Sequence, residues 1–91
     1  MMAQTKIDAV REYLQNEFPD FQVDVREDYE SVRQEFSVKR GSTNHIVKFE
    51  RYFLDTTVDI KKTLVGLELS KSMKENEGKQ LLVTREALTV L

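Results

Sequence analysis

The chain has 91 residues, 40% apolar and 33% charged, with three glycines, one proline, no cysteine and no tryptophan. A chain this short is expected to form one α+β domain over 1–91, with a thin core that buries about 60–65% of the unfolded surface. Without cysteine there is no disulfide framework and no thiolate site, and a lone histidine cannot build a multi-histidine zinc centre, so neither metal nor cofactor is expected.

The opening Met-Met-Ala-Gln-Thr-Lys-Ile-Asp lacks the apolar run of a signal peptide, and nothing later approaches the ~18 apolar residues of a membrane span. A cytoplasmic protein without membrane contact is the expectation. The net charge of −2 is unevenly spread: residues 1–38 carry four basic and nine acidic side chains, and residues 39–91 carry ten basic and seven acidic. Such asymmetry can guide association, unless folding interleaves the two segments.

Thr5 and Asp8 form an approximate capping box, and Ile7, Val10, Leu14 and Phe18 follow at helical spacing, which predicts a first helix over about 6–17. Pro19 stops it. From Phe21 the period becomes two. Phe21, Val23 and Val25 alternate with Gln22, Asp24 and Arg26 as a first strand, and Val32, Phe36 and Val38 alternate with Arg33, Glu35, Ser37 and Lys39 as a second. The reversal between them is expected over Glu27–Ser31, and Gly41 marks the next turn. A third strand places Val47, Phe49 and Phe53 inward and Ile46, Lys48, Glu50 and Tyr52 outward. This is the pattern of an antiparallel meander with one solvated face.

Thr56 and Asp59 repeat the box spacing and Gly78 supplies a stop, so a second helix is expected over about 57–75. At about 100° per residue, Ile60, Leu64 and Leu67 fall on one side of it, and Val58, Val65, Leu69 and Met73 cluster on the other. A helix resting on a sheet needs one apolar stripe, so the second must be covered by the first helix, the C-terminal segment or another subunit. Gln80–Thr84 reads as a short strand that would run parallel to a neighbour at a sheet edge. Residues 85–91 fit a final helical turn or a continued strand. The predicted architecture is a two-layer α+β sandwich, order α-β-β-β-α-β, with two helices on one face of the meander and a short C-terminal strand.

Catalytic signatures are sparse. His45, at the start of the third strand, has no serine or cysteine nucleophile signature to pair with and reads as an exposed or locally hydrogen-bonded residue. The acidic stretch from Asp24 to Glu35 has no glycine, and Arg26 stands where a calcium ligand would be needed. Glycines 41, 66 and 78 are isolated, so no phosphate loop is present, although Gly66 in mid-helix could admit another backbone.

Two binding readings remain. The leading one is a small protein-interaction or regulatory module without catalytic chemistry, in one form a homodimer, using Val58, Val65, Leu69 and Met73 with Leu88, Val90 and Leu91. The alternative is nucleic-acid binding through Lys39, Arg40, Lys48, Lys61 and Lys62. Over roughly residues 5–75 the helix–three strands–helix order resembles that of double-stranded RNA-binding domains, which implies contacts from the first hairpin loop and a basic helix start. Here the loop is Glu27-Asp28-Tyr29-Glu30, and Asp55 and Asp59 flank the Lys61–Lys62 pair, so duplex phosphates would be repelled.

Overall fold

The alternating segments pair into an antiparallel meander. The structure, a computed structural model that describes residues 4–28 and 32–91, gives the strands as β1 (Gln22–Asp28), β2 (Arg33–Arg40) and β3 (Thr43–Glu50). Val25 stands opposite Phe36, Phe36 opposite Val47, and Val38 between Val23 and His45. A slip of one residue would turn this whole apolar set to solvent, so burial fixes the register. Arg40 pairs with Thr43 across Gly41 and Ser42, and Gly41 takes the left-handed φ of 58° that the tight reversal requires. Of the expected first reversal, Tyr29–Ser31 lie outside the described residues.

Helix α1 (Gln4–Glu17) packs across the inner face and buries Val10, Tyr13 and Leu14, with Phe18 just beyond it. Thr5 lies in its first turn and is not its cap. The Phe18 N–H still reaches the Leu14 carbonyl at 2.8 Å, after which Pro19 ends the ladder.

The largest departure from the sequence pattern lies between residues 51 and 75. The spacing predicts one long helix after a third strand reaching Phe53. Instead β3 ends at Glu50 and is succeeded by three short helices: α2 (Arg51–Thr56), α3 (Ile60–Gly66) and α4 (Leu69–Glu75). Phe53 remains buried, but from a helix, and Tyr52 is exposed. Asp59 caps α3 by accepting from the Lys62 N–H at 3.1 Å. Glu68 then adopts φ 53° and ψ 44°, a left-handed conformation that breaks the helix and re-aims α4.

That break resolves the two apolar stripes. Ile60 and Leu64 enter the core from α3, and Leu69 and Met73 enter it from α4, so neither Leu69 nor Met73 belongs to a surface. Glu68 offers no side-chain cap to α4; the Ser70 N–H donates to the Tyr13 hydroxyl at 3.1 Å, and the Ser70 hydroxyl donates to Glu17 at 2.6 Å. The first turn of α4 is therefore tied to α1.

After Gly78 (φ 81°), β4 (Gln80–Val83) runs parallel to β3, with Leu81 opposite Val47 and Val83 opposite Phe49. It is an inner strand, not the expected edge. Residues 85–91 neither form a helical turn nor extend β4: the chain reverses at Arg85–Glu86 and returns as β5 (Leu88–Val90), antiparallel to β4. The Thr84 hydroxyl organises the reversal by accepting from the Glu86 and Ala87 N–H groups, each at 3.3 Å. The result is an α+β fold with one five-stranded sheet, ordered β1-β2-β3-β4-β5, and its helices on one side.

Ion pairs knit the acidic first part of the chain to the basic second part. Asp20 meets Arg40 at 3.8 Å, Glu35 meets Lys48 at 3.9 Å, Glu12 meets Lys61 at 2.8 Å, and Glu27 pairs with Arg51. At these four points acidic side chains of the first part of the chain lie beside basic ones of the second.

Candidate functional site

A sheet with helices on one side leaves a bare face and two edges, and each is a place where another molecule could bind. On the bare face, the row Arg26–Glu35–Lys48 crosses three strands in register. Glu35 is nearly enclosed, with Arg26 at 3.0 Å and Lys48 at 3.9 Å. Beside this row lies a shallow depression of about 160 Å³, lined by Asp24, Arg26, Glu35, Ser37 and Lys39. Its charges alternate in sign and largely answer one another, so it offers cross-strand pairing and solvation rather than a ligand-binding field.

The two edges differ in kind. β1 carries Asp24, Arg26 and Glu27, and charged side chains along an edge discourage pairing with another strand. The other edge, residues 87–91, reads Ala-Leu-Thr-Val-Leu and carries no charged side chain. The Leu91 N–H donates to the Gln80 carbonyl at 2.8 Å, and the Ala87 carbonyl accepts from the Thr84 N–H at 3.0 Å. Alternation along an antiparallel strand then turns the main-chain groups of Ala87, Thr89 and Leu91 toward β4, and the N–H and C=O of Leu88 and Val90 toward the free edge.

Side chains flank that edge on both sides. Leu88 packs against the core and Val90, on the helix side, is 45% exposed. Leu91 continues on the bare face at 55% exposure, in the neighbourhood of half-buried Leu82 and Ile46. Four outward main-chain groups flanked by apolar side chains on both faces make an acceptor for an added strand. Arg85 holds the hairpin in place: its guanidinium lies 5.5 Å from the centre of the Tyr52 ring and donates to the Tyr52 hydroxyl at 2.9 Å. No sequence signal links those two residues, which stand 33 positions apart.

The expected interface residues do not form one surface. Leu69 and Met73 are in the core, where they cannot contact a partner, because the break at Glu68 turned them inward. Val58 is 97% exposed in the α2–α3 connection, over an open groove of about 380 Å³ against the start of α1, and Val65 is exposed on α3. The groove is bounded by Lys6, which donates to the Thr57 carbonyl, and by Lys61, which is paired with Glu12. Among these expected interface residues, Leu88 and Val90 combine apolar side chains with outward main-chain groups, and Leu91 adds an exposed apolar side chain beside them.

The five basic candidates do not converge either. Lys39 and Lys48 project from the bare face, Arg40 sits at the β2–β3 turn beside Asp20 and the Phe21 ring, and Lys61 and Lys62 belong to the helical layer on the other side. Arg40, Lys48 and Lys61 each have a carboxylate partner.

His45 is not the exposed turn residue expected from its sequence context. It is buried on the helix side of β3, with ring centres of Phe18 and Phe21 at 5.3 and 5.9 Å, and its Nδ1 has no hydrogen-bond partner among the described residues. Its role is that of a packed ring. At Gly66 nothing lies within 4 Å of the position a Cβ would take, so no other backbone approaches it. Among the described residues there is no group of three or more metal-ligating side chains, and no helix is long and apolar enough to cross a membrane. No protein-family model, curated protein or solved structure matches the chain.

Proposed function

We propose that this chain is a small protein-interaction module, without catalytic chemistry of its own, that binds by accepting a strand along β5. The observation that carries the reading is the uncharged free edge at residues 87–91, where Leu88 and Val90 turn their main-chain groups outward beside exposed Val90 and Leu91. Main-chain pairing would supply affinity, and the side chains on the two faces would select the partner. The lack of cysteine is in keeping with a reducing, cytoplasmic location. Nucleic acid has less in its favour, because the five cations are spread over both faces and three of them are ion-paired.

The test is a selection of binders from a phage library of random linear peptides, followed by amide chemical-shift mapping with the tightest peptide. Shifts concentrated at residues 80–91, and loss of binding in Val90→Lys, are expected. Shifts confined to the Val58 groove or to the β1–β2 face, unchanged binding by the variant, or failure to select any binder would overturn the reading.

A further inference from the structure

We infer that the strand accepted by β5 is the β5 of a second copy of this chain, paired antiparallel about a two-fold axis at Thr89. This rests on the strand-addition reading and names its partner.

Main-chain direction decides which residues can pair. In an antiparallel pair, the residues that exchange N–H···O=C bonds are those whose groups point at the new neighbour, which on β5 are Leu88 and Val90. A two-fold axis at Thr89 sets Leu88 opposite the partner's Val90 and Val90 opposite the partner's Leu88. Both are hydrogen-bonded pairs, so every outward group of β5 finds a complement. Centring the axis on Leu88 would instead bring Val90 opposite the charged Glu86, and centring it on Val90 would leave Leu88 facing no residue of 87–91. The strand is self-complementary in one register.

Side chains agree with that register. On the helix side, Leu88 and Val90 of each copy would form one apolar cluster continuous with the core, covering the exposed part of Val90. On the bare face, Thr89 would meet Thr89, a favourable cross-strand pair, and Leu91 would meet Ala87. No like charges oppose one another over residues 87–91. The interface is isologous, as a two-fold dimer requires, and the two sheets would join into one of ten strands with a charged β1 at each outer edge.

The absence of cysteine permits a register-specific test on the full chain. A non-hydrogen-bonded antiparallel pair holds its Cα atoms about 4.5 Å apart, within the ~4.4–6.8 Å that a disulfide spans. Thr89→Cys should therefore give a covalent dimer on mild oxidation, and Val58→Cys, at another exposed position, should not. Light scattering across a dilution series should show the unmodified chain as a dimer, and Val90→Lys should weaken it by about tenfold or more.

A dimer that is cross-linked by Val58→Cys and not by Thr89→Cys would overturn this pairing. A monomer at every concentration would also overturn it, and peptides that still map to residues 80–91 would then leave the strand-addition reading standing with a different partner. A monomer with no such peptide would overturn both.

Discussion

Leu69→Ala and Val65→Ala together discriminate a broken helix from a continuous one. On an unbroken helix two residues four positions apart lie about 40° apart, so these side chains would share one environment. With the left-handed turn at Glu68 between them, Leu69 is fully buried and Val65 is 65% exposed. Truncating a leucine in a filled core costs about 2–5 kcal/mol, from lost transfer energy and the cavity left behind. For a domain of this length, total stability is about 5–14 kcal/mol, so the loss is a large fraction of the whole. Val65→Ala removes methyl groups already in contact with water and substitutes a better helix former, so the change stays within about 0.5 kcal/mol. Urea unfolding followed by circular dichroism reads the difference. With a slope of about 1 kcal/mol per molar, Leu69→Ala lowers the midpoint by about 2 M or more and Val65→Ala moves it by less than about 0.5 M. Equal shifts in the two variants would refute the break and restore the continuous helix.

Three further predictions concern the supports of the fold. Tyr13→Phe removes the acceptor for the Ser70 N–H and is expected to cost about 1 kcal/mol, with faster hydrogen exchange at Ser70; unchanged exchange there would argue against this tie between α4 and α1. Glu68→Gly relieves a left-handed residue that carries a Cβ, so it should be more stable than Glu68→Ala by about 1 kcal/mol in thermal unfolding, and an alanine variant of equal stability would contradict the φ of 53°. Glu35→Ala leaves half-buried Lys48 without its carboxylate and should cost about 1–2 kcal/mol, against under about 0.5 kcal/mol for the exposed partner in Arg26→Ala; the reverse order would show that the row Arg26–Glu35–Lys48 is not centred on Glu35.

The meander was legible because its signal is strong and local: Val23, Val25, Phe36, Val38, Val47 and Phe49 alternate with polar residues and point inward in register. The first helix was legible for the same reason, with Pro19 marking its end. What failed to show was a change of backbone direction that leaves hydrophobic periodicity intact. Tyr52 and Phe53 continue the period-two pattern although the chain has already turned helical, and Phe53 is buried either way. At Glu68 the left-handed residue is neither glycine nor asparagine, so nothing in the sequence marks the break, and the helical spacing on its two sides merges into one helix with two stripes. The Arg85–Glu86 reversal likewise lacks a glycine or asparagine signal, which hid the β4–β5 hairpin. Of the candidate interface, Leu88 and Val90 stood out for their apolar character; their unpaired main chain depends on strand order, which no local pattern encodes.

The four ion pairs that join residues 1–38 to residues 39–91 have a consequence for the chain before it folds. An acidic segment followed by a basic one attracts itself at long range, so the denatured ensemble is drawn in even where no native contact exists. Added salt screens that attraction and lets the denatured chain expand. The urea slope, which grows with the surface exposed on unfolding, should therefore be shallower in dilute buffer than in molar sodium chloride. Charges that pair across the two segments in the folded chain would thus also act on the dimensions of the unfolded one.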